Sequence, residues 1–123
     1  MTAVARLGSV SIDCPDPHAL AQFYATLLGV DIAYDTKAFA AVRVDNLWLS
    51  MQKVDDHRPP SCPEGSVPQQ LHLDVAVEDL DTGEEAAAAA GARKAGTQPS
   101  PERWRVMLDP AGHPFCLTSL FLE

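Results

Sequence analysis

The amino-acid sequence predicts an α+β fold made of two successive β-α-β-β-β units, and three observations carry this prediction. Segments in which apolar and polar residues alternate, typical of half-buried strands, surround two segments with helical apolar spacing. The same order of segments occurs twice, on either side of a proline-rich stretch. With 123 residues, 46% of them hydrophobic, the chain is long enough to bury a core, so we expect 1–123 to form a single domain.

The first unit, at about 5–54, begins with a strand followed by a helix. Apolar and polar residues alternate over 6–14, which predicts a strand with one buried face. Asp16, with a proline directly after it, is typical of a helix N-cap and first helical position. We expect the helix to run to Leu28 and to end at Gly29, which can adopt a left-handed conformation.

Strand patterns return after this helix, at 31–35, 39–45 and 47–54. Asp45-Asn46 joins the last two strands and predicts a tight turn. The segment 55–68 contains four prolines and a glycine, which exclude regular structure. We therefore expect a linker at 55–68 that is long enough to lie over a cavity mouth.

The second unit, at about 69–122, repeats this order. A strand is predicted at 69–77, and a helix is predicted from Glu78-Asp79 to Ala90, with Gly91 ending it. Further strands are predicted at 92–98, 104–109 and 113–122, with Asp109-Pro110-Ala111-Gly112 as the turn between the last two.

The two units are aligned by a shift of 63 residues, which pairs Ser9 with His72 and Asp16 with Asp79. Duplication of one β-α-β-β-β unit is the simplest explanation. Neither unit alone could bury both its helix and its open sheet, so we expect the two to pack together.

Composition excludes several classes of partner. A formal net charge of -8 repels nucleic acid and anionic membranes. No apolar run approaches the roughly 20 residues of a membrane span, and the first residues lack the features of a signal peptide. Cys14, Cys62 and Cys116 are odd in number and widely spaced, which argues against a disulfide framework. We expect a cytoplasmic protein that binds neither nucleic acid nor membrane.

One face of the predicted strands collects polar side chains and is more typical of a binding pocket than of a dry core. Its members are Ser9, Ser11, Asp13, Arg43, Trp48, Ser50, Gln52, His72, Asp74, Arg105 and Cys116. Trp48 is the best marker of a pocket, because a tryptophan on a polar face needs a ligand or another subunit as its apolar partner. Trp104, which alternates with Val106 and Leu108, is expected in the core.

The candidate chemical groups each allow a functional and a structural interpretation. His72 could act as a general base oriented by Asp74, or it could simply bond to a neighbouring strand's side chain. Cys116 could be a nucleophile activated by His72, or a small buried filler. Arg43 and Arg105 lie on matching strands, where they could hold a ligand carboxylate or phosphate, or form surface ion pairs.

Three motifs and the order of elements resemble the vicinal oxygen chelate superfamily, which includes glyoxalase I, bleomycin-resistance proteins, fosfomycin-resistance proteins and extradiol dioxygenases. The motifs are Cys-Pro-Asp-Pro at 14–17, His-Leu-Asp-Val at 72–75, and Asp-Pro-Ala-Gly-His-Pro-Phe-Cys at 109–116. The resemblance implies curled mixed sheets around a cavity, helices outside and a homodimer.

The resemblance also implies that a divalent metal can be held by residues of the first and last strands of each unit. These positions fall on Ser9, His72, Cys116 and a residue near Ser50 or Gln52. Only His72 keeps a residue type that the family commonly uses, so no metal or other cofactor is predicted from the family pattern. His72 with Cys116 and Gln52 could still hold a soft metal.

The resemblance favours a glyoxalase-like protein that binds a small organic metabolite or antibiotic-like molecule, with Trp48 against the ligand. The alternative is a lyase or isomerase acting on a carbonyl-bearing substrate, possibly metal-assisted, with His72 as base or ligand. The expected ligand-binding residues are Ser9, Arg43, Trp48, Ser50, Gln52, Asp74, Arg105 and Cys116, with His72 as the candidate catalytic residue.

Overall fold

The structure, a computed structural model, describes residues 3–61 and 66–119. The chain divides into two compact units, Met1–His57 and Arg58–Glu123. Each contains one helix and one four-stranded mixed sheet, which confirms the predicted α+β class and the repeated β-α-β-β-β order. Neither helix in the described residues combines the length and apolar character that crossing a bilayer requires.

Unit 1 contains β1 (Ser9–Cys14), α1 (Pro17–Leu28), β2 (Ile32–Asp35), β3 (Phe39–Val44) and β4 (Leu47–Lys53). Its sheet has the order β1-β4-β3-β2, in which β1 runs parallel to β4 and the other pairs are antiparallel. The predicted turn between β3 and β4 is present, with Asp45 at a φ of 54°. The predicted strands of unit 1 are confirmed; β1 begins three residues later than predicted, and each of the other three strands is one residue shorter.

Helix α1 begins and ends as its sequence predicts. The Asp16 carboxylate accepts a hydrogen bond from the Ala19 N–H, and Gly29 ends the helix with a φ of 67°. Five of its residues are buried, and the helix packs on β2, β3 and β4. These buried residues are Pro17, Leu20, Ala21, Phe23 and Tyr24. An apolar stripe therefore attaches α1 to its sheet.

Unit 2 contains β5 (Leu73–Ala76), α2 (Leu80–Ala90), β6 (Arg93–Lys94), β7 (Trp104–Leu108) and β8 (Pro114–Thr118). The sheet has the order β5-β8-β7-β6, again with its first pair parallel and the others antiparallel. Part of the strand predicted at 113–122 lies outside the described residues, as does Cys62.

Two strands of unit 2 are much shorter than predicted. Strand β5 begins at Leu73, so His72 directly precedes it. Strand β6 stops at Lys94 because a side chain takes over its pairing with β7. The Gln98 amide donates to the Val106 carbonyl (2.8 Å) and accepts from the Val106 N–H (2.9 Å). This amide satisfies the Val106 N–H, which a longer strand would otherwise pair, while the Val106 carbonyl also accepts the backbone N–H of Ala95 (3.0 Å).

Helix α2 is attached differently from α1, since Ala87 is its one buried residue. Asp79, at the predicted start of the helix, is its N-cap and accepts from both the N–H and the hydroxyl of Thr82, which lowers the pKa of its carboxyl. A Cβ added at Gly83 would lie 2.9 Å from the Val77 Cγ1. The glycine therefore permits close approach of the helix to the chain that leads into it.

The predicted turn before β8 is also present. Asp109 is buried, and its Oδ1 accepts from the N–H groups of Ala111 (2.9 Å) and His113 (3.0 Å). Gly112 has a φ of +88°, and a Cβ added there would lie 2.5 Å from the Pro59 Cβ. The turn thus requires glycine for both its conformation and its contact with the 55–68 segment.

Candidate functional site

The cross-strand register of unit 2 determines which side chains share a face. Cys116 pairs with Asp74 on one side and with Val106 on the other, so these three residues lie on the same face of the sheet. Trp104, two residues before Val106, shares this face and is half-buried. Trp104, which was expected in the core, is thus half-buried on the face that carries Cys116.

Arg105 lies on the opposite face, toward α2, so the prediction that it shares a face with His72 is wrong. Its guanidinium donates to Glu84 Oε1 (2.8 Å), Asp81 Oδ1 (2.9 Å) and the Pro101 carbonyl (2.6 Å). The hydrogen bond from Arg105 lowers the pKa of Glu84, and those to Glu84 and Asp81 raise the pKa of Arg105. The sequence allowed Arg105 either to hold a ligand carboxylate or phosphate or to form ion pairs, and the structure shows ion pairs.

A cluster of three potential metal ligands lies on the face that carries Cys116; we call His72, Asp74 and Cys116 the ligand triad. One ligand atom from each residue lies within 4.8 Å of the other two. The His72 Nε2 is 3.3 Å from Asp74 Oδ1, and its Nδ1 is 3.2 Å from the Gln69 side-chain nitrogen. His72 and Asp74 are exposed, while Cys116 is half-buried.

The donor set of the triad suits a transition metal. Imidazole nitrogen, carboxylate oxygen and thiolate sulfur are all common zinc ligands, and three protein ligands with an open position form a recurrent arrangement. The two positions of unit 2 at which the family resemblance implies metal ligands are His72 and Cys116, and neither is a carboxylate. Asp74 supplies one because the parallel pairing of β5 with β8 sets it directly beside Cys116.

In unit 1, the face turned away from α1 carries the predicted polar residues. Val42, Leu49 and Met51 are buried on the α1 side, which leaves their sequence neighbours on the other face. Across β1, β4 and β3, the register places Ser9, Trp48 and Arg43 in one row. A second row on the same face contains Asp13, Gln52 and Phe39. The Ser9 and Ser50 hydroxyls share a hydrogen bond of 2.9 Å.

Three aromatic rings gather on this face; we call Tyr34, Phe39 and Trp48 the aromatic cluster. The Tyr34 ring centroid lies 6.1 Å from that of Trp48 and 6.4 Å from that of Phe39. The Arg43 guanidinium carbon lies 4.8 Å from the Trp48 ring centroid, a cation–π contact. Tyr34 is 59% exposed and Phe39 is 37% exposed. Neither was among the predicted site residues.

A separate depression of about 450 Å³ lies beside the start of α1. Its lining includes Pro15, Thr36 and two lysines, Lys37 and Lys53. His18 and Asp35, also in the lining, form an ion pair of 2.7 Å between Nδ1 and Oδ2. The carboxylate and the lysines give this depression mixed charge, so it favours no one class of ligand.

Comparisons with solved structures give the same fold. The chain is similar to a glyoxalase/bleomycin resistance protein/dioxygenase family enzyme from Burkholderia phytofirmans PsJN, with 20% identity, TM-score 0.68, and 92% and 97% of the two chains covered. It is also similar to a fosfomycin resistance protein from Mesorhizobium loti, with 15% identity, TM-score 0.67, and coverages of 98% and 95%.

A third similar structure is the bleomycin-binding protein of bleomycin-producing Streptomyces verticillus, complexed with copper(II)-bleomycin; identity is 22%, TM-score 0.59, and coverages are 95% and 98%. A search of curated proteins finds no significant match. The family model described as a glyoxalase-like domain matches residues 9–118. The chain therefore belongs to the glyoxalase-like domain family, within the vicinal oxygen chelate superfamily.

Proposed function

We propose that the protein binds a small organic molecule carrying an aromatic ring and an anionic group on the aromatic cluster of unit 1. The observation that carries this proposal is the stacking of Arg43 over Trp48, beside the exposed rings of Tyr34 and Phe39. Exposed rings gain free energy by covering a ligand ring, and a guanidinium can hold a carboxylate or phosphate through paired donors.

The position of Arg43 supports its role as the anion-binding group. Its Nε donates to the Asp45 carbonyl (3.0 Å), which holds the guanidinium above the Trp48 ring. The terminal amino groups provide further donors in a fixed planar arrangement. The Ser9 and Ser50 hydroxyls, on the same face, offer additional polar contacts.

The similar structures support an antibiotic-like ligand. One is a bleomycin-binding protein and another is a fosfomycin resistance protein. Ligand chemistry varies widely on one fold, so the proposal rests on the aromatic cluster and takes from the neighbours only the choice of molecules to test. The homodimer and the cytoplasmic location expected from the sequence stay predictions.

The first prediction is that an aromatic carboxylate or bleomycin quenches Trp48 emission saturably. With Trp104→Phe in the background, Trp48 becomes the sole tryptophan, so the emission reports on this face. Arg43→Gln should weaken binding about 10- to 100-fold, since a hydrogen bond to a charged group contributes about 1.5–3 kcal/mol. Chromatography should recover the ligand unchanged.

Lys37→Gln is the matched control, because it removes a positive charge of unit 1 that lines the separate depression, whereas Arg43 stacks on Trp48. Calorimetry with Trp48→Ala, which needs no emission, should show binding lost. Equal affinities in the Arg43→Gln and Lys37→Gln proteins, or no quenching by any molecule tested, would contradict the proposal.

A second candidate function is a lyase or isomerase acting on a carbonyl-bearing substrate, favoured by the pairing of His72 with Asp74. If the His72 Nε2–H donates to Asp74, the other ring nitrogen is the basic one, as in acid–base catalysis. We predict that any turnover of the hemithioacetal of methylglyoxal and glutathione falls about 10²- to 10⁴-fold in His72→Ala. His18→Ala should keep the wild-type rate, and full activity in His72→Ala would exclude this base.

A further inference from the structure

We propose that the ligand of the aromatic cluster is a zwitterion, with its anionic group at Arg43 and a protonated amine at Asp13. This inference rests on the proposed function and adds a second, opposite charge to the ligand. It follows from where the register of the unit 1 sheet places the charged side chains of the face that carries Trp48.

The two charged side chains belong to different rows of this face. The row of Trp48 and Arg43 and the row of Asp13, Gln52 and Phe39 are four residues apart along the strands. At a rise of about 3.3 Å per residue, the two rows are ~13 Å apart. A middle row separates them and consists of Ser11, Ser50, Ala41 and Tyr34.

The three rings of the aromatic cluster connect the two outer rows. Trp48 belongs to one row, Phe39 to the other and Tyr34 to the middle row. The Tyr34 ring centroid lies 6.1 Å from that of Trp48 and 6.4 Å from that of Phe39. A ligand with two joined rings, laid along these side chains, therefore reaches from one row to the other, whereas a single ring is too short.

The two ends of this ring surface carry opposite charges. Arg43 and Asp13, one in each row, are the residues with a formal charge among the strand residues of this face. Asp13 is exposed on β1, an edge strand of its sheet, so a ligand amine can approach the carboxylate from solvent. A carboxylate accepts charge-assisted hydrogen bonds from an ammonium group, and the partly exposed ring of Phe39 attracts a cation. Gln52, between Asp13 and Phe39, offers an amide oxygen as a further acceptor.

The same arrangement disfavours a ligand with two anionic ends. A second carboxylate on the ligand would approach the Asp13 carboxylate, and like charges repel. The formal net charge of -8 adds to this repulsion. The face thus distinguishes a zwitterion from a dianion of the same length.

The test is calorimetry at low ionic strength, where exposed charges are least screened, with three ligands of similar length. They are biphenyl-4-carboxylates that carry a 4′-methyl, a 4′-aminomethyl or a 4′-carboxylate group. We expect the wild-type chain to bind the amine about 3- to 10-fold more tightly than the methyl compound, and the dicarboxylate more weakly than both. Asp13→Asn should abolish the preference for the amine and change the affinity for the methyl compound by less than about 2-fold.

Asp31→Asn is the matched control, because it removes an exposed carboxylate of unit 1 that precedes β2 and lies outside the three rows. This variant should keep the preference for the amine. The single-ring pair 4-(aminomethyl)benzoate and 4-methylbenzoate should bind with equal affinity, since neither reaches both charges. Asp13→Lys is a second variant and should reverse the order, so that the dicarboxylate binds most tightly.

The outcomes separate this inference from the proposed function. If the methyl compound binds through Arg43 but the amine binds no more tightly, or if the preference persists in Asp13→Asn, the zwitterion is excluded and the proposed function stands. If no biphenyl acid binds, or if Arg43→Gln binds them as well as the wild-type chain does, both are overturned. The comparison of the three ligands in the wild-type chain needs no variant, and circular dichroism identifies the variants that fold.

Discussion

Replacing Phe115 by alanine is expected to lower the free energy of unfolding by about 3–5 kcal/mol. Phe115 is 0% exposed and lies in β8 between Leu73 and Met107, on the α2 side of the sheet. The helix over it contributes one buried alanine, Ala87, whose side chain is too short to fill the gap. The cavity left by the ring should therefore stay largely unfilled.

Urea unfolding, followed by circular dichroism, measures this effect. Phe39→Ala is the matched control, since the same substitution at a partly exposed ring should lower the free energy of unfolding by less than about 1 kcal/mol. Similar losses in the two variants would show that Phe115 does not contribute more to the core than an exposed ring.

Replacing Asp109 by alanine is expected to lower the free energy of unfolding by about 2–4 kcal/mol. The carboxylate is 1% exposed and accepts the N–H groups of Ala111 and His113. Each buried donor left without an acceptor costs about 1–3 kcal/mol. This turn also aligns β8, which carries Cys116.

Asp109→Asn removes the negative charge but keeps an acceptor oxygen at the same place, so it separates the contribution of the acceptor from that of the charge. We expect Asp109→Asn to lose less than half of what Asp109→Ala loses in the same urea experiment. A loss in Asp109→Asn as large as that in Asp109→Ala would show that the negative charge, and not the acceptor oxygen, stabilises the turn.

Features that depend on a few consecutive residues were predictable from the sequence. Asp16 and Asp79 cap their helices, and Gly29 and Gly91 end them, because these positions require particular side chains or backbone conformations. The turn at 109–112 belongs to the same class. Local chemistry, repeated twice, was enough to establish the order of elements.

Features that depend on register between distant strands were less predictable. The sequence assigns Arg105 to a polar face because it is charged, but the register with Leu117 turns it toward α2, where Asp81 and Glu84 accept its hydrogen bonds. Trp104, one residue earlier, therefore lies on the face turned away from α2. Strand alternation cannot reveal acidic partners that lie on a helix 21 and 24 residues earlier in the chain.

The candidate site contains residues whose face was predicted correctly and one residue that the prediction missed. Strand alternation correctly assigned Trp48, Arg43 and Ser50 to one face of unit 1. It missed Tyr34, because an irregularity between Ile32 and Tyr34 shifts the pairing of β2 with β3. The sequence does show Tyr34 in a predicted strand, two positions after Ile32. Which face of the sheet carries its ring could not be decided without the register of β2 with β3.

The two helices of the repeat are attached to their sheets by different forces. Five buried side chains hold α1, whereas α2 buries Ala87 and is linked to β7 by the ion pairs of Arg105 with Asp81 and Glu84. Apolar contacts change little with ionic strength, but partly exposed ion pairs are weakened by salt. The two units thus attach their helices in ways that differ in sensitivity to salt, and we expect local opening of the chain to be easier at α2 than at α1.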